Sequence, residues 1–393
     1  MSNLEWLQLP DVSSFIHSNL HVDVKKLMLN PPNNLKANIA VIADQILARQ
    51  KIKQKLPDWY ANMDLIMPPP ISTEQSSSLA TAKYKADLLK GERLVDLTGG
   101  MGIDTLTLAA NFQEVTYVEQ NELLCETFKH NASILSERHI AIFNGLSEDY
   151  LKTFEGQADF FIDPARRDEN QKKVFHFENC TPNVLEMLPV FRQSANAVLI
   201  KAAPMIDITL GILQLQYVKE VHVVSLKSEV KEILFLLDFQ HIQPAKIIAV
   251  NLESEHSAFE FTLADEKDQA VIYGDTEQYL YDPNSSIMKA GAFKSIANRY
   301  DLKKFAPNTH LYTSQTLVEN FPGRVFEVIY RNVTKKELKK ILIDGKANVI
   351  CKNYPIKADA LKQQLGLKDG GDWFVLGFRD SKDKSQISLA KFV

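Results

Sequence analysis

The stretch that decides the fold is LVDLTGGMGIDTLTL, which spans residues 94–108. A short apolar run ends at Asp96, and Gly99, Gly100 and Gly102 follow before a helix-like pattern begins. Glycine lets the chain turn sharply and lets the backbone approach a ligand without a side-chain clash. The helix that starts there offers unpaired N–H groups to polar ligand atoms. The stretch therefore predicts a buried strand, a ligand-binding turn and a helix.

An acidic residue closes the next predicted strand, EVTYVEQ. This residue is Glu119, which lies 23 residues after Asp96. An acid at this place hydrogen-bonds the ribose hydroxyls of a nucleotide cofactor. A complete dinucleotide fingerprint, G-x-G-x-x-G, would also need a third glycine, but counting from Gly100 that place is occupied by Thr105. The position of Glu119 predicts a ribose-containing cofactor without distinguishing its kind, whereas the missing third glycine speaks against a nicotinamide dinucleotide.

Strand-like and helix-like segments alternate on both sides of the glycine turn. The strand-like segments are RLVDLT, EVTYVEQ, HIAIFNG, DFFIDP and AVLIKAAP, and the helix-like ones are LATAKYKADLLK, GIDTLTLAANF and NELLCETFKHNASIL. This alternation predicts a parallel sheet with helices on both faces, an α/β fold of the Rossmann-like type. Further along, VKEVHVVSLKSEVKEILFLLDF predicts a strand followed by a helix, and KIIAVNLES with AFEFTLAD predicts an antiparallel hairpin.

Different patterns flank this α/β region. The first 64 residues show helical spacing, and Pro31 with Pro32 separates the long helix of this region from what precedes it. The stretch IMPPPISTEQSSS predicts a linker or an ordered entry loop. We therefore predict an N-terminal helical region over residues 1–70, an α/β domain over 71–268 and a basic C-terminal α/β domain over 269–393.

The charge is distributed unevenly along the chain. Residues 287–393 contain 20 Lys and Arg against 10 Asp and Glu, whereas the rest contains 25 against 39. A basic end on an acidic body indicates a polyanionic partner. Aromatic residues lie among these basic residues, as suits single-stranded or looped RNA; they are Tyr300, Phe305, Tyr312 and Phe321. The alternative is a well-solvated domain with ordinary core aromatics.

The three cysteines, Cys125, Cys180 and Cys351, are widely separated and form no C-x-x-C pair. This pattern argues against a disulfide framework and against a zinc site, so we expect no bound metal and a reducing, cytoplasmic location. The sequence has no apolar run of the roughly 18–20 residues that a membrane span requires, and its beginning does not resemble a signal peptide. We therefore expect no membrane partner.

A second loop with candidate chemistry follows the fourth predicted strand, in DFFIDPARRDE. Asp163 lies at the carboxyl edge of the predicted sheet, where open α/β sheets bind ligands, and Pro164 stops the strand. Arg166 and Arg167 suit a phosphate or a base face, but equally an ion-pair network with neighbouring acids such as Asp168. We predict Asp163, Pro164 and Arg166 as catalytic residues. Lys201, after the fifth strand, is predicted to face either the site or the solvent.

These motifs resemble those of class I S-adenosylmethionine-dependent methyltransferases, whose first motif has the form D-x-x-x-G-x-G. The resemblance implies that the methionine part of S-adenosylmethionine is surrounded by Asp96, Thr98, Gly99, Gly100 and Gly102. It implies that Glu119 holds the ribose and that Asn144, Gly145 and Leu146, within FNGLSEDYL, pack near the adenine.

Two other segments extend the resemblance. DPAR is similar to the D-P-P-Y or D-P-P-R motif of nucleic-acid methyltransferases, but Ala165 replaces the second proline and Arg166 stands where an aromatic residue would stack. EQSSSLATAKYKA resembles a segment that closes over the cofactor in many RNA methyltransferases. Its candidate residues are Gln75, Ser76 and Lys85, for which a solvated linker and helix face is an equally good explanation.

The whole arrangement resembles bacterial proteins that join a class I methyltransferase domain to a THUMP-like C-terminal domain. THUMP domains deliver RNA to attached modifying domains, so the resemblance implies methyl transfer to RNA, such as tRNA or rRNA. Three alternatives stay open. They are a methyltransferase that acts on a protein or small molecule, a nicotinamide oxidoreductase, and a non-catalytic RNA-binding protein that kept the fold.

Overall fold

A computed structural model describes residues 3–166, 177–252, 254 and 258–393 of the chain. The helices are α1 (Asn3–Leu7), α2 (Pro10–Ser18), α3 (Val24–Leu29), α4 (Ile39–Ile52), α5 (Pro57–Ala61), α6 (Pro70–Gln75), α7 (Leu79–Ala86), α8 (Ile103–Leu108), α9 (Glu122–Leu135), α10 (Ser147–Thr153), α11 (Val184–Ser194), α12 (Ile208–Leu215), α13 (Leu263–Asp268), α14 (Ser285–Ala290), α15 (Ser295–Arg299), α16 (Lys335–Ile341) and α17 (Ala358–Leu365). Among the described residues, no helix is both long enough and apolar enough to cross a bilayer.

The strands are β1 (Arg93–Asp96), β2 (Glu114–Glu119), β3 (Ile140–Asn144), β4 (Ala158–Ile162), β5 (Ala165–Arg166), β6 (Cys180–Thr181), β7 (Ala195–Ala202), β8 (Val218–Leu226), β9 (Glu229–Leu237), β10 (Lys246–Leu252), β11 (Phe259–Thr262), β12 (Tyr279–Pro283), β13 (Lys303–Ala306), β14 (Thr309–Ser314), β15 (Gly323–Tyr330), β16 (Asn348–Lys352), β17 (Trp373–Arg379) and β18 (Ser385–Phe392). They form one sheet in the order β11-β10-β8-β9-β7-β4-β1-β2-β3, a second in the order β13-β14-β12-β15-β18-β17-β16, and the small pair β5-β6.

The chain divides into two compact units. The first contains Met1–Lys219 and Leu234–Ile242, and the second contains Glu220–Ile233 and Gln243–Val393. The N-terminal helices thus belong to the same unit as the glycine turn. The domain boundaries at residues 70 and 268 remain predictions.

The first unit has the parallel strands that the alternation predicted. β1 pairs in parallel with β2 and β4, β2 pairs with β3, and β4 pairs with β7. All five residues of β4 are buried, as expected of a strand at the centre of a covered parallel sheet. The prediction of a Rossmann-like α/β fold is confirmed, and β1, β2, β4 and β7 all end at the same edge.

The prediction of a helix after the strand in VKEVHVVSLKSEVKEILFLLDF was wrong, because this segment is the strand β9. Lys227 and Ser228, between β8 and β9, both have positive φ angles, 53° and 62°. Two consecutive residues in this conformation make the tight turn that joins hairpin strands. The end of β9 is a continuous buried apolar run, and such a run does not distinguish a buried strand from a buried helix. The antiparallel pairing predicted for β10 and β11 is confirmed.

The N-terminal region is helical, as predicted, and α6 lies within the segment predicted as a linker or entry loop. Arg49 on α4 is buried, and its guanidinium donates to four backbone carbonyls. These belong to Trp59, Tyr60, Asn62 and Leu65. Burial lowers the pKa of Arg49 to about 10. One side chain thereby fixes the chain between α5 and the segment that leads to α6.

Two amide side chains hold the next two residues of the backbone. Gln45 on α4 accepts from the N–H of Met67 at 2.9 Å and donates to its carbonyl at 2.6 Å. Asn131 on α9 does the same for Ile66, at 2.9 and 2.7 Å. Because both amides are buried, each stabilises a polar backbone that water cannot reach.

The seven-stranded sheet of the second unit has an apolar cluster on each face. Neighbouring residues of β17 divide between the clusters: Val375 belongs to one and Leu376 to the other. This alternation is what a strand with two covered faces requires. The Val375 face is covered by α16 and α17 through Leu338 and Leu361. All neighbouring strands of this sheet with a described register are antiparallel except β16 and β17, which are parallel.

Candidate active site

The glycine turn between β1 and α8 is anchored by a buried carboxylate. Asp96, at the end of β1, accepts the N–H of Thr98 at 3.0 Å and the hydroxyl of Thr105. Burial raises the pKa of Asp96 to about 7. Thr105 occupies the position of the third glycine in dinucleotide-binding proteins. Its hydroxyl connects α8 to Asp96 and so stabilises the turn.

Two of the three glycines are required by an aromatic pair below the turn. Tyr117 and Phe128 stack with their ring centroids 3.9 Å apart. A Cβ on Gly99 would lie 2.1 Å from the Tyr117 ring, and one on Gly102 would lie 2.2 Å from the Phe128 ring. Gly102 also has a φ of 84°. These two glycines therefore let the turn lie directly against the aromatic pair.

Gly100 has a different environment. Its φ is 54°, and a Cβ there would meet only the carbonyl oxygen of Thr98, at 3.8 Å. Its N–H donates to Oε2 of Glu119 at 3.0 Å, and Oε1 of Glu119 accepts the N–H of Asn121 at 2.9 Å. Glu119 is half-buried, and each carboxylate oxygen can accept more than one hydrogen bond. The open space at Gly100 therefore lies beside the fixed carboxylate of Glu119, which can accept further hydrogen bonds.

The three residues predicted to lie near an adenine are at the end of β3, at the same edge: Asn144 closes the strand, and Gly145 and Leu146 follow it. The Asn144 side chain donates to the Glu119 carbonyl at 2.9 Å, and the Gly145 N–H donates to the same carbonyl at 3.0 Å. Leu146 is 46% exposed. The contacts of Asn144 and Gly145 connect the ends of β2 and β3, whereas Leu146 offers apolar surface to a ligand.

The loop after β4 is tied to the glycine turn. The N–H of Asp163 donates to the Thr98 hydroxyl at 2.6 Å, so Thr98 touches both Asp96 and Asp163. The Asp163 carboxylate is 2.5 Å from the ammonium group of Lys201, and its side chain is 37% exposed. Pro164 is buried.

The backbone of Arg166 lies in β5, but its side chain is outside the described residues, as are Arg167 and Asp168. The structure therefore connects Asp96, Thr98 and Asp163. The catalytic role predicted for Arg166, and the binding of a phosphate or base by both arginines, stay predictions.

Lys201 was not among the residues predicted as catalytic, yet it pairs with Asp163. It lies in β7, where its side chain is largely buried. The signal was present in LIKAAP, a buried apolar strand with a charged residue near its carboxyl end, the same pattern that identified Asp163. A lysine at this place in a central strand faces the ligand edge of the sheet rather than the solvent.

The segment upstream of β1 contributes charged groups that pack on α8. The fully buried ammonium of Lys85 lies 3.2 Å from Asp104 and 3.1 Å from the Ser77 hydroxyl. Ser77 also donates to Asp104, at 2.7 Å. Of the other two candidates in this segment, Gln75 is exposed and Ser76 accepts Lys55 through its carbonyl.

Three lysines lie among the carboxylates around Asp163 and Asp104. The lysines are Lys55, Lys85 and Lys201, and the neighbouring carboxylates include Asp96 and Glu74. Burial, and then the nearby charge of Lys201, lowers the pKa of Lys55 to about 8. Burial opposes the charge of Asp104, but Lys85 and Lys201 hold its pKa below the usual value. The lysines at this edge are therefore matched by carboxylates, and each charge shifts the pKa of its neighbours.

The C-terminal part of the chain matches two family models, a ferredoxin-like domain over residues 279–322 and a THUMP domain-like region over residues 323–391. Over its whole length the chain is similar to a protein from Porphyromonas gingivalis W83 that is provisionally described as a methyltransferase. The two are 30% identical, the superposition covers 100% of this chain and 99% of that chain, and the TM-score is 0.89. This chain belongs to the same family, the class I methyltransferases with a THUMP-like C-terminal domain.

Other solved structures resemble smaller parts of the chain. An RNA methyltransferase from Pyrococcus horikoshii, provisionally described as such, is 12% identical over 44% of this chain and 84% of that chain, with a TM-score of 0.29. An rRNA methylase from Streptococcus thermophilus is 16% identical over 40% and 93%, also with a TM-score of 0.29. Likenesses this low carry no conclusion about the substrate. A comparison with curated proteins finds no match.

Proposed function

We propose that this protein transfers a methyl group from S-adenosylmethionine to RNA. One observation carries the proposal: a single hydrogen-bonded network joins the Gly100 turn, the Glu119 carboxylate and Asp163 at one edge of the sheet. The three members lie at or just after the ends of three different strands, β1, β2 and β4, which is the edge where α/β folds bind ligands.

The residues at this edge fit the proposed cofactor. The open space at Gly100 would take its methionine part, Glu119 has acceptor capacity for the ribose hydroxyls, and exposed Leu146 would contact the adenine. When bound, S-adenosylmethionine supplies a methyl group on a positively charged sulfur. The protein then needs to hold the acceptor atom in line with that methyl, since alignment provides much of the rate.

Asp163 is the residue best placed to orient the acceptor. Its backbone is fixed through Thr98, and its carboxylate is paired with Lys201 and partly exposed. A carboxylate so held can accept a hydrogen bond from an N–H or O–H of the substrate and set the direction of its lone pair. In this proposal Lys201 is a positioning residue for Asp163.

The proposal of RNA as substrate is supported by the second unit. The THUMP domain-like match covers residues 323–391, and the surplus of basic residues lies in the same part of the chain. Positive charge on an attached domain is the simplest means of holding a polyanionic substrate near a catalytic edge. The scattered cysteines further support our proposal of a cytoplasmic enzyme.

Calorimetric titration with S-adenosylmethionine, with NADH as the control ligand, tests the cofactor. Selective binding of S-adenosylmethionine is expected, and selective binding of NADH would overturn the assignment. Transfer of labelled methyl groups to pools of tRNA and rRNA then tests the substrate. An Asp163→Ala variant should bind the cofactor but lose transfer. If that variant methylates RNA as well as the wild type, Asp163 is not the orienting residue.

A further inference from the structure

The basic surplus of the C-terminal part is concentrated in one segment. Residues 331–368 contain ten Lys and Arg against three Asp and Glu, a net charge of +7. Residues 287–393 as a whole have a net charge of +10, so this third of the region holds most of its excess. The segment includes α16, β16 and α17.

In helix α16, with the sequence KKELKKI, the acidic residue caps the helix and the apolar residues pack against the sheet. Glu337 accepts both the backbone N–H and the hydroxyl of Thr334, which completes a capping box. Leu338 is buried against the sheet. The remaining charged residues of the helix are lysines on its exposed side.

The positions of Lys335 and Lys336 oppose the stability of the helix, whereas Lys339 and Lys340 lie in its last turn, where the helix dipole favours positive charge. Lys335 and Lys336 lie in the first turn, where the helix dipole disfavours positive charge. Lys336 and Lys340 are four residues apart, as are Lys335 and Lys339, and like charges at this spacing repel. Helix stability alone favours acids in the first turn and separated charges along the helix, so it does not account for four lysines in seven residues.

Five exposed lysines form what we call the lysine face: Lys336, Lys339, Lys340, Lys346 and Lys368. Within the part of the chain that the structure describes, none of their ammonium groups pairs with a carboxylate. Lys362 on α17 differs, since its ammonium group lies 3.1 Å from Asp359 and 2.7 Å from Asp369. The charge of the lysine face is thus available to a partner, whereas that of Lys362 is largely satisfied.

The fold brings two members of the lysine face, Lys346 and Lys368, together just after α16. Lys346 follows α16 after one short turn, and its backbone forms a parallel bridge with Lys368. The N–H of Ala347 donates to the Lys368 carbonyl, and the N–H of Lys368 donates to the Gly345 carbonyl, both at 2.9 Å. In that turn Ile343 is 94% exposed. The backbones of Lys346 and Lys368 are therefore neighbours, directly after the helix that carries the other three lysines.

We infer that the lysine face binds the phosphate backbone of RNA, an inference that rests on the proposed RNA substrate. Lysine carries a compact charge on a flexible stem, which suits phosphates but reads little sequence. Contacts of this kind position a nucleic acid and leave recognition of the target base to the active site. Binding through them should weaken steeply as salt rises, because each neutralised phosphate releases bound cations.

The test compares two variants that carry the full chain. The first replaces three lysines of the face with glutamine, as Lys336→Gln, Lys339→Gln and Lys340→Gln, and the control is Lys362→Gln. Glutamine has a helix propensity close to that of lysine, and the first variant also removes repulsion, so both should fold. The affinity for unfractionated tRNA is measured by filter binding from 50 to 300 mM KCl, values chosen to span about a tenfold affinity change or more.

We expect the triple variant to bind tRNA about tenfold or more weakly at low salt, with a slope of log affinity against log salt reduced by about 2. The control should match the wild type, and both variants should bind S-adenosylmethionine normally. Unchanged slope and affinity in the triple variant would overturn the inference and leave the proposed function intact. If the wild type binds the cofactor but no RNA, the RNA substrate itself is wrong; binding of the face to vesicles of anionic lipid instead would assign it to a membrane and overturn the inference.

Discussion

Gly99 lies so close to Tyr117 that a Cβ on Gly99 would come within 2.1 Å of the ring, whereas a Cβ on its neighbour Gly100 would approach no closer than 3.8 Å to the Thr98 carbonyl. The two glycines therefore act differently. The first permits packing inside the protein, and the second leaves room at the edge where we place the cofactor.

Alanine at each of these positions should separate the two effects. Gly99→Ala should destabilise the protein by several kcal/mol, because the ring of Tyr117 is stacked on Phe128 and has little room to move. Gly100→Ala should cost only about 1 kcal/mol, the strain of a positive φ, but should abolish most of the affinity for S-adenosylmethionine. Urea unfolding and calorimetry measure the two results.

Gly291→Ala is the matched control for this strain. Its φ is 83° and nothing lies within 4 Å of the added Cβ, so its cost in stability should equal that of Gly100→Ala without any change in cofactor affinity. Normal cofactor binding by Gly100→Ala would mean that the cofactor does not approach this turn.

The Lys201–Asp163 pair predicts a loss of rate without a loss of cofactor binding. Lys201→Met removes the charge that holds the Asp163 carboxylate, so kcat should fall by about 10- to 100-fold while the affinity for S-adenosylmethionine stays similar. Single-turnover methyl transfer measures the effect. Lys152→Met, which breaks an exposed pair with Asp149, is the control and should leave the rate unchanged. A rate for Lys201→Met equal to that of the control would exclude Lys201 as a positioning residue.

The raised pKa of Asp96 predicts a pH-dependent stability. Burial raises this pKa to about 7 in the folded protein, against about 4 in the unfolded chain, so folding favours the protonated carboxyl. The free energy of unfolding, measured against an Asp96→Asn variant that cannot ionise, should be highest relative to the variant below about pH 4. It should fall as the pH rises towards 7 and then level off. Urea titrations from pH 4 to 8 give this difference directly, and a difference that does not change with pH would mean that Asp96 stays ionised throughout.

Arg49 binds four backbone carbonyls, so we expect the stability of the protein to depend strongly on its guanidinium. Arg49→Lys keeps the charge but offers a single ammonium group in place of a planar fork, so several buried carbonyls lose their partner. We expect a loss of at least about 3 kcal/mol in the free energy of unfolding. The control is Arg192→Lys, whose guanidinium lies over the ring of Tyr217. It should cost about 1 kcal/mol or less, and an equal loss in both variants would contradict the assigned role of Arg49.

The parallel sheet could be predicted because strands buried on both faces and separated by helices leave a clear pattern. β9 could not, since Ile233 to Leu237 form an apolar run that fits a helix as well as a strand. The turn that makes this segment a hairpin strand depends on positive φ angles at Lys227 and Ser228. Neither residue type predicts that conformation.

Part of the candidate site could likewise be predicted from the sequence, and part could not. Glycine spacing and strand ends were enough to predict that Gly100, Glu119 and Asp163 lie at one edge. The sequence could not reveal that Asp96 is wholly buried, because hydrogen bonds to Thr98 and Thr105 decide its environment. Nor could it pair Lys201 with Asp163, since that contact joins β7 to the loop after β4, and the two residues are 38 positions apart.

The amides of Gln45 and Asn131 have a practical consequence for anyone who wishes to shorten this protein. They form hydrogen bonds with the backbones of two consecutive residues, Met67 and Ile66. Gln45 lies on α4, which precedes these residues in the sequence, and Asn131 lies on α9, which follows them. A chain that starts at residue 71 would leave the buried amide of Asn131 with neither hydrogen-bond partner. The helices at the beginning are therefore not a removable appendage, and a trimmed enzyme should aggregate or fail to express rather than work as a minimal catalyst.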